Sequence, residues 1–405
     1  MADVAPVLQT PVLTEADADA DADDPAIWVD PADPAKSLVV TAVKNGGIRV
    51  YDLTGALVQT VLPAPDGRIN NVDVAYGVTL GDGRTADLII GSDRGLDIIR
   101  IWTIAAGAEP LAEITAPDAA RAFPTRPEGG TTVDNPLDDQ NSVYGLATWK
   151  DGDTLWIAGT QRHQPVVGLF KLQANADGTV IAVKDHEFAV PASHKGQDLT
   201  EESDDDPAKD WSTQFEGSVI DRTTGTLYAG QEDVGIWAIP VQGGEPVLVY
   251  ETRGAAGSSF RNEDSVIARD VEGLTIWYGG DGTRYLIASS QGGAHGDAPW
   301  PMPFDDSFAV FRLGGTAPEL LGSFRVAASG AMDAVQESDG ADVLALALPG
   351  FPNGLFITQD GYAGDLNGLD GEVAATNFKF ADWKAIADSF TPPLAVAPEG
   401  ADPRQ

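Results

Sequence analysis

The stretch QFEGSVIDRTTGTLYAGQED, residues 214–233, decides the architecture. A polar residue followed by glycine, Glu216-Gly217, opens a β-run. A turn through Thr224 and Gly225 reverses the chain, and a second β-run ends on Gln231, Glu232 and Asp233. The reading is a tight hairpin with polar residues gathered at one end of both strands. Five further stretches repeat it: DDPAIWVDPADPAKSLVVTAVK (23–44), NNVDVAYGVTLGDGRTADLIIGSDR (70–94), SVYGLATWKDGDTLWIAGTQR (142–162), DVEGLTIWYGGDGTRYLIASSQG (270–292) and SDGADVLALALPGFPNGLFITQDG (338–361). In most copies a third apolar run follows, as in GIRVYDL (47–53) and VGIWAIPV (234–241).

The opening polar residues are Asp24, Asp73, Tyr144, Glu216, Glu272 and Asp339, between 49 and 72 residues apart. Common propeller repeats run to about 40–50 residues, but blades absorb loop insertions. Short strands recurring in like units around an axis predict an all-β fold, a six-bladed β-propeller with a central channel. An array of β-sandwiches is the competing architecture. The expected layout is an N-terminal extension over 1–16, a propeller over 17–390 and a flexible tail over 391–405. ATNFKFADWKAIADSF (375–390) has helix-like spacing, and EESDDDPAKDW (201–211) and HGDAPWPMPFDD (295–306) read as long loops. Trp28, Trp156, Trp237 and Trp277 lie within β-runs and are expected in the core.

Composition narrows the function. Sixty-two Asp and Glu against 25 Lys and Arg leave a formal charge of −37. Such a chain repels nucleic acid and anionic membrane, and it attracts cations. It contains no cysteine, which removes disulfides, thiolate nucleophiles and cysteine-ligated zinc. No run of about 18 apolar residues is present to span a bilayer, and no signal peptide is read at the start. A mature secreted or periplasmic protein is expected, acting as a monomer.

The innermost strand of each blade lines the channel, so residues at equivalent repeat positions form rings. The opening ring holds five carboxylates and Tyr144. A second ring closes the next strand: Lys44, Arg94, Arg162, Glu232, Gln291 and Gln359. Asp23, Asp233, Asp270 and Asp333 lie close by. Converging carboxylates repel unless neutralised, and Ca²⁺, which takes six to eight oxygen ligands at variable geometry, suits them. Lys44, Arg94 and Arg162 fall in blades one to three; Glu216, Glu232, Asp270 and Glu272 fall in blades four and five. Metal ions facing Lys and Arg suit a multiply charged phosphate.

Other chemistries lack their residues. DADADA (17–22) imitates the start of an EF-hand, but the glycine would fall at Ala22 and the glutamate at Trp28. HExxH, GxSxG and the phosphate-binding GxxxxGK[ST] are absent. His163, His186, His194 and His295 have no zinc spacing.

DADDPAIW (21–28) followed by INNVDVAYG (69–77) resembles the two signature segments of the β-propeller phytases, the alkaline calcium-dependent phytases of bacteria. Further matches run in family order from about residue 17 to 385, among them GSDR (91–94), VYG (143–145), FEG (215–217), EDVGIW (232–237), DVEGLTI (270–276), SDGADVL (338–344) and GLFITQDG (354–361). The resemblance implies hydrolysis of phytate, myo-inositol hexakisphosphate, as a calcium complex. It implies several Ca²⁺ ions, structural and catalytic, and a 3-phytase type of phosphoric monoester hydrolase. Lys44, Arg94 and Tyr144 match phosphate-contacting residues. Glu216, Glu232, Asp270, Glu272, Asp339 and Asp23 match residues at the active-site calciums. Asp24 and Asn70 match structural calcium ligands, and Asp333 matches a metal-associated aspartate. Arg162 stands where the third blade has a phosphate-binding lysine, with Gln161 and His163 as alternatives. Ala75 replaces a usual Arg, Ala20 a usual Asp and Gln231 a usual Glu. Two other functions compete: a calcium-bound propeller lactonase or esterase, and a non-enzymatic binding module with structural calcium. The first does not account for Lys44, Arg94 and Arg162 aimed at one channel, and phosphate release from phytate with and without Ca²⁺ separates all three readings.

Overall fold

Each of the six hairpins is the inner half of one sheet, as the computed structural model shows. Blade one runs Pro25–Trp28, Leu38–Ala42, Ile48–Asp52 and Leu57–Val61; blade four runs Phe215–Asp221, Thr226–Gln231, Gly235–Pro240 and Val247–Glu251. All pairings along the main chain path within the blades are antiparallel, fixed by short turns. The first strands neighbour one another in sequence order around a closed circuit, giving the expected six-bladed β-propeller. The structure describes residues 1–124, 141–200, 202, 211–292, 304–363, 375–399 and 401–404. Most of the two predicted loops, 201–211 and 295–306, therefore lies outside the described residues, as does His295.

The ring is held by apolar clusters between blades. Trp28 and Val40 of blade one meet Ile89 and Trp102 of blade two. Trp156 and Leu169 of blade three meet Leu227 and Trp237 of blade four. Alternation along each strand explains this: every second residue faces a neighbouring blade, and burial on both faces of the middle strands yields runs such as LVVTA, all buried. The four tryptophans expected in the core are buried.

Three expectations change. Residues 1–16 are not outside the propeller. Ala2–Val4 pairs in parallel with Glu319–Val326 as a fifth strand of blade five, and Leu8–Gln9 pairs with Asn377–Asp382 as the outer strand of blade six. Blade six takes only three strands, Ala341–Leu344, Leu355–Asp360 and Asn377–Asp382, from its own repeat, so the chain's beginning completes its end. The helix read over 375–390 is confined to Trp383–Asp388; Asn377–Asp382 is a strand. Lys379, which a helix would place on its polar face, is instead buried in that strand against Asp360 and Asp333. The described part of the tail is packed: Leu394 and Ala401 are buried, the Trp383 indole donates to the Ala395 carbonyl at 2.9 Å, and Arg404 pairs with Asp402 at 2.5 Å. Among the described residues no helix is long and apolar enough to cross a membrane.

Candidate active site

Where each first strand begins, one residue points into the channel and the next lies against the following blade. A Cβ built on Gly145 would stand 1.8 Å from the Glu216 carbonyl oxygen, and one on Gly217 1.7 Å from that of Glu272. The glycine after the ring residue is therefore a requirement of blade-to-blade approach. It fixes the phase of the ring as Asp23, Asn70, Tyr144, Glu216, Glu272 and Asp339. Asp24 and Asp73, read as ring members, are displaced. Asp24 stands level with the glycines and accepts from the Val72 N–H at 3.2 Å. Asp73 lies deeper, accepting from the Thr148 N–H at 2.6 Å and hydroxyl at 2.8 Å. The bulge between Ile69 and Val72 recurs between Val143 and Leu146 and between Phe215 and Ser218, which sets Asn70 level with Tyr144 and Glu216; the displacement follows from Asp24 and Asn71 standing where the other blades carry the marking glycine.

Glu216, Glu232 and Glu272 converge, each offering a carboxylate oxygen within 4.8 Å of the others. Burial, then Glu216 and Glu232, pushes the Glu272 carboxyl well above the usual range. Burial, then Asp270 and Glu216, does the same to Glu232. Asp270 is pushed to about 7 by burial, against the pull of Arg269, with Asp233 and Glu216 adding to the rise. Asp339 is pushed to about 6 by burial, against Lys44. Glu272 Oε2 and Asp23 Oδ1 are buried with no hydrogen-bond partner among the described residues. Buried acids that repel one another and keep oxygens unsatisfied form an all-oxygen donor set, the preference of Ca²⁺. The residues fit that ion.

The cations border this cluster. Lys44 Nζ lies 2.8 Å from Asp21, 3.1 Å from Asp339 and 3.5 Å from Asp23. Its backbone is left-handed (φ 45°), a conformation costing about 1–3 kcal/mol in a non-glycine residue. Arg94 donates to Asn70 Oδ1 at 2.8 Å, and Asn70 in turn donates to Glu216 at 2.6 Å. Both ends of the Asn70 amide are thus committed. Tyr144 carries Arg94 over its ring at 5.3 Å and Arg162 at 5.9 Å. Burial, then Glu216, pushes its hydroxyl upward, so it stays a neutral donor.

Two residues of the expected set are engaged by protein partners. Asp233 pairs with Arg269 at 3.0 Å and takes the Ser212 N–H at 2.7 Å. Asp333 pairs with Lys379 at 2.6 Å. His163 meets Glu202 at 2.7 Å. Of the residues replacing usual family ones, Ala75 is core and Gln231 is buried, accepting from the Trp237 indole at 3.0 Å. Two residues in contact with the site escaped the sequence reading: Asp21, which reaches Lys44, and Gln214, which reaches Glu232. Each lies two positions before a ring residue, as Asp270 does, and alternate residues of an extended chain share a face. That period was the available signal.

The family model described as Phytase matches residues 3–125 and 206–405. The segment it omits, 126–205, contains the third blade with Tyr144 and Arg162. A 3-phytase of Bacillus subtilis (strain 168) is 29% identical over 371 residues, covering 90% of this chain and 80% of that protein. A chain from a crystal structure of BBS1N in complex with ARL6DN, soaked with lead, covers 88% of this chain and 78% of its own length at 8% identity with a TM-score of 0.41. With the family model matching most of the chain, and with a six-bladed channel bringing carboxylates and guanidinium groups together, the chain belongs to the phytase family.

Proposed function

We propose that this phytase hydrolyses phytate, taken as its calcium complex, in a reaction that requires Ca²⁺ bound at Glu216, Glu232, Asp270, Glu272, Asp339 and Asp23. The carboxylate cluster, with acids raised by burial and mutual repulsion, is the observation that carries this reading. Bound Ca²⁺ supplies a water of lowered pKa and positive charge for the phosphate oxygens. The chain's own groups bind and orient the substrate. Arg94 presents a fixed guanidinium fork to two phosphate oxygens, while Lys44 adds a point charge. Tyr144 donates its hydroxyl and spaces Arg94 from Arg162, so that two phosphates of one inositol ring are held side by side. Asp24, Asn70, Asp233 and Asp333 belong to the structural surroundings of this centre in our reading: their side chains are already engaged by protein partners.

An exported, monomeric enzyme completes the reading, since extracellular calcium sites work at about 10⁻⁴–10⁻³ M ion. The test is phosphate release from phytate with calcium, with EDTA and with calcium restored. Release that stops in EDTA and returns with Ca²⁺ supports the reading. Full activity in excess EDTA overturns the calcium requirement.

A further inference from the structure

The geometry points to Gln214 as a positioning residue that ties the third-blade cation loop to the carboxylate cluster. The inference rests on the reading of Glu232 as a calcium ligand and Arg162 as a phosphate contact.

The Gln214 amide bridges two blades. Its Oε1 accepts from the His163 backbone N–H at 2.9 Å, and its Nε2 donates to Glu232 Oε1 at 2.7 Å. A backbone N–H can only donate, so it fixes which end of the amide faces it, and the NH₂ must then face Glu232. Glu232 Oε1 is thereby a committed acceptor, which leaves the second oxygen to serve the cluster. The same residue holds Glu232 by the main chain, where the Glu232 N–H donates to the Gln214 carbonyl at 3.1 Å. On the other side, His163 follows Arg162 directly in a turn whose backbone is left-handed at His163 (φ 62°). A loop in that conformation persists only where its surroundings hold it.

Asn70, in blade two, is built alike, taking the Arg94 guanidinium itself on its oxygen and giving its NH₂ to Glu216 of blade four. Each guanidinium-bearing strand end is thus joined to one glutamate through a single side-chain amide. At Gln214 the join crosses from blade three to blade four. A phosphate that draws on Arg162 therefore bears on Glu232 through two hydrogen bonds, and calcium affinity and phosphate affinity are linked in both directions.

The test compares the parent with Gln214→Met, which keeps length but loses both bonds, and Gln214→Asn, which keeps the amide but is one methylene too short to reach both partners. Calcium binding is measured by calorimetry without substrate, kcat and KM with phytate, and Tm at saturating calcium. Both variants should weaken the calcium site that Glu216→Gln also weakens by about tenfold. Both should lower kcat/KM by about tenfold, or 1.36 kcal/mol, with Tm within about 3 °C of the parent. Calcium binding and turnover within twofold of the parent in a folded variant overturn the role, and so does a lowered Tm with unchanged calcium affinity. Should the methionine variant not fold, the asparagine variant decides. A parent that neither binds calcium nor releases phosphate overturns the underlying reading instead.

Discussion

Arg94 is buried, aimed at the ring by its bond to Asn70, and its Nε has no partner among the described residues. Asp97, an acid three residues on that could have claimed it, is itself buried and is occupied by Arg121 and by the N–H groups of Phe123 and Val143. A preorganised donor of this kind contributes about 2.7–4 kcal/mol to the transition state. Arg94→Ala should lower kcat/KM about 10²–10³-fold. Arg94→Lys should recover only part, because the charge returns without the fork. Steady-state kinetics decide it, and an alanine variant within about threefold of the parent would refute the role. Glu272→Gln removes a charge from the three-glutamate cluster while keeping its volume, and kcat should fall about 10²-fold or more. Activity in the tens of per cent would mark Glu272 as mere channel lining. The legibility of these residues followed local pattern. Tyr144-Gly145, Glu216-Gly217, Glu272-Gly273 and Asp339-Gly340 announce the ring by the glycine that follows. In blades one and two Asp24 and Asn71 take the glycine's place, and there the reading slipped to Asp24 and Asp73.

The sheet is the element that places these groups, and its inner strand is the critical one. Gly217 lies where the next blade's main chain passes, so Gly217→Ala forces the Glu272 carbonyl outward. Overpacking of a close backbone approach costs about 1–3 kcal/mol and sometimes more. The variant should unfold earlier in urea and lose activity, whereas Gly315→Ala, whose added carbon meets nothing nearer than 3.3 Å, should be nearly neutral. Equal midpoints for the two would show that blade spacing is not set at these glycines. The strands themselves were legible, because alternation, Gly-rich turns and apolar third runs all agree. The strands that closed the ring were not. Ala2–Val4 and Leu8–Gln9 are too short to register as strands, and their partners lie more than 300 residues away.

For the whole molecule, the channel carries buried carboxyl groups beyond the site. Below the ring, Asp73 is pushed to about 6 and Asp342 to about 7, each chiefly by burial. They clamp neighbouring blades: Asp73 holds Thr148, and Asp342 holds the Ile27 N–H at 2.8 Å and the Thr275 hydroxyl at 2.9 Å. Unfolded aspartate titrates near 3.9, so between about pH 4 and 7 the folded protein binds more protons than the unfolded chain, and stability falls as pH rises through that window. Calcium acts the other way, since it needs ionised ligands, so the effect is to be read in EDTA. There the Tm should be higher near pH 5 than near pH 8, and Asp342→Asn should flatten the slope; a Tm that climbs with pH in chelator would contradict it. The closure of blade six carries a consequence for biosynthesis. A ribosome adds about 5–20 residues per second, so Leu8 and Gln9 wait about 20–70 s for Asn377–Asp382 to emerge. Throughout that interval an unpaired edge and a five-blade arc are open to wrong partners. A circular permutant that starts at residue 14 and carries residues 1–13 after the tail should aggregate less than the parent during synthesis, as light scattering of matched cell-free translation reactions would show.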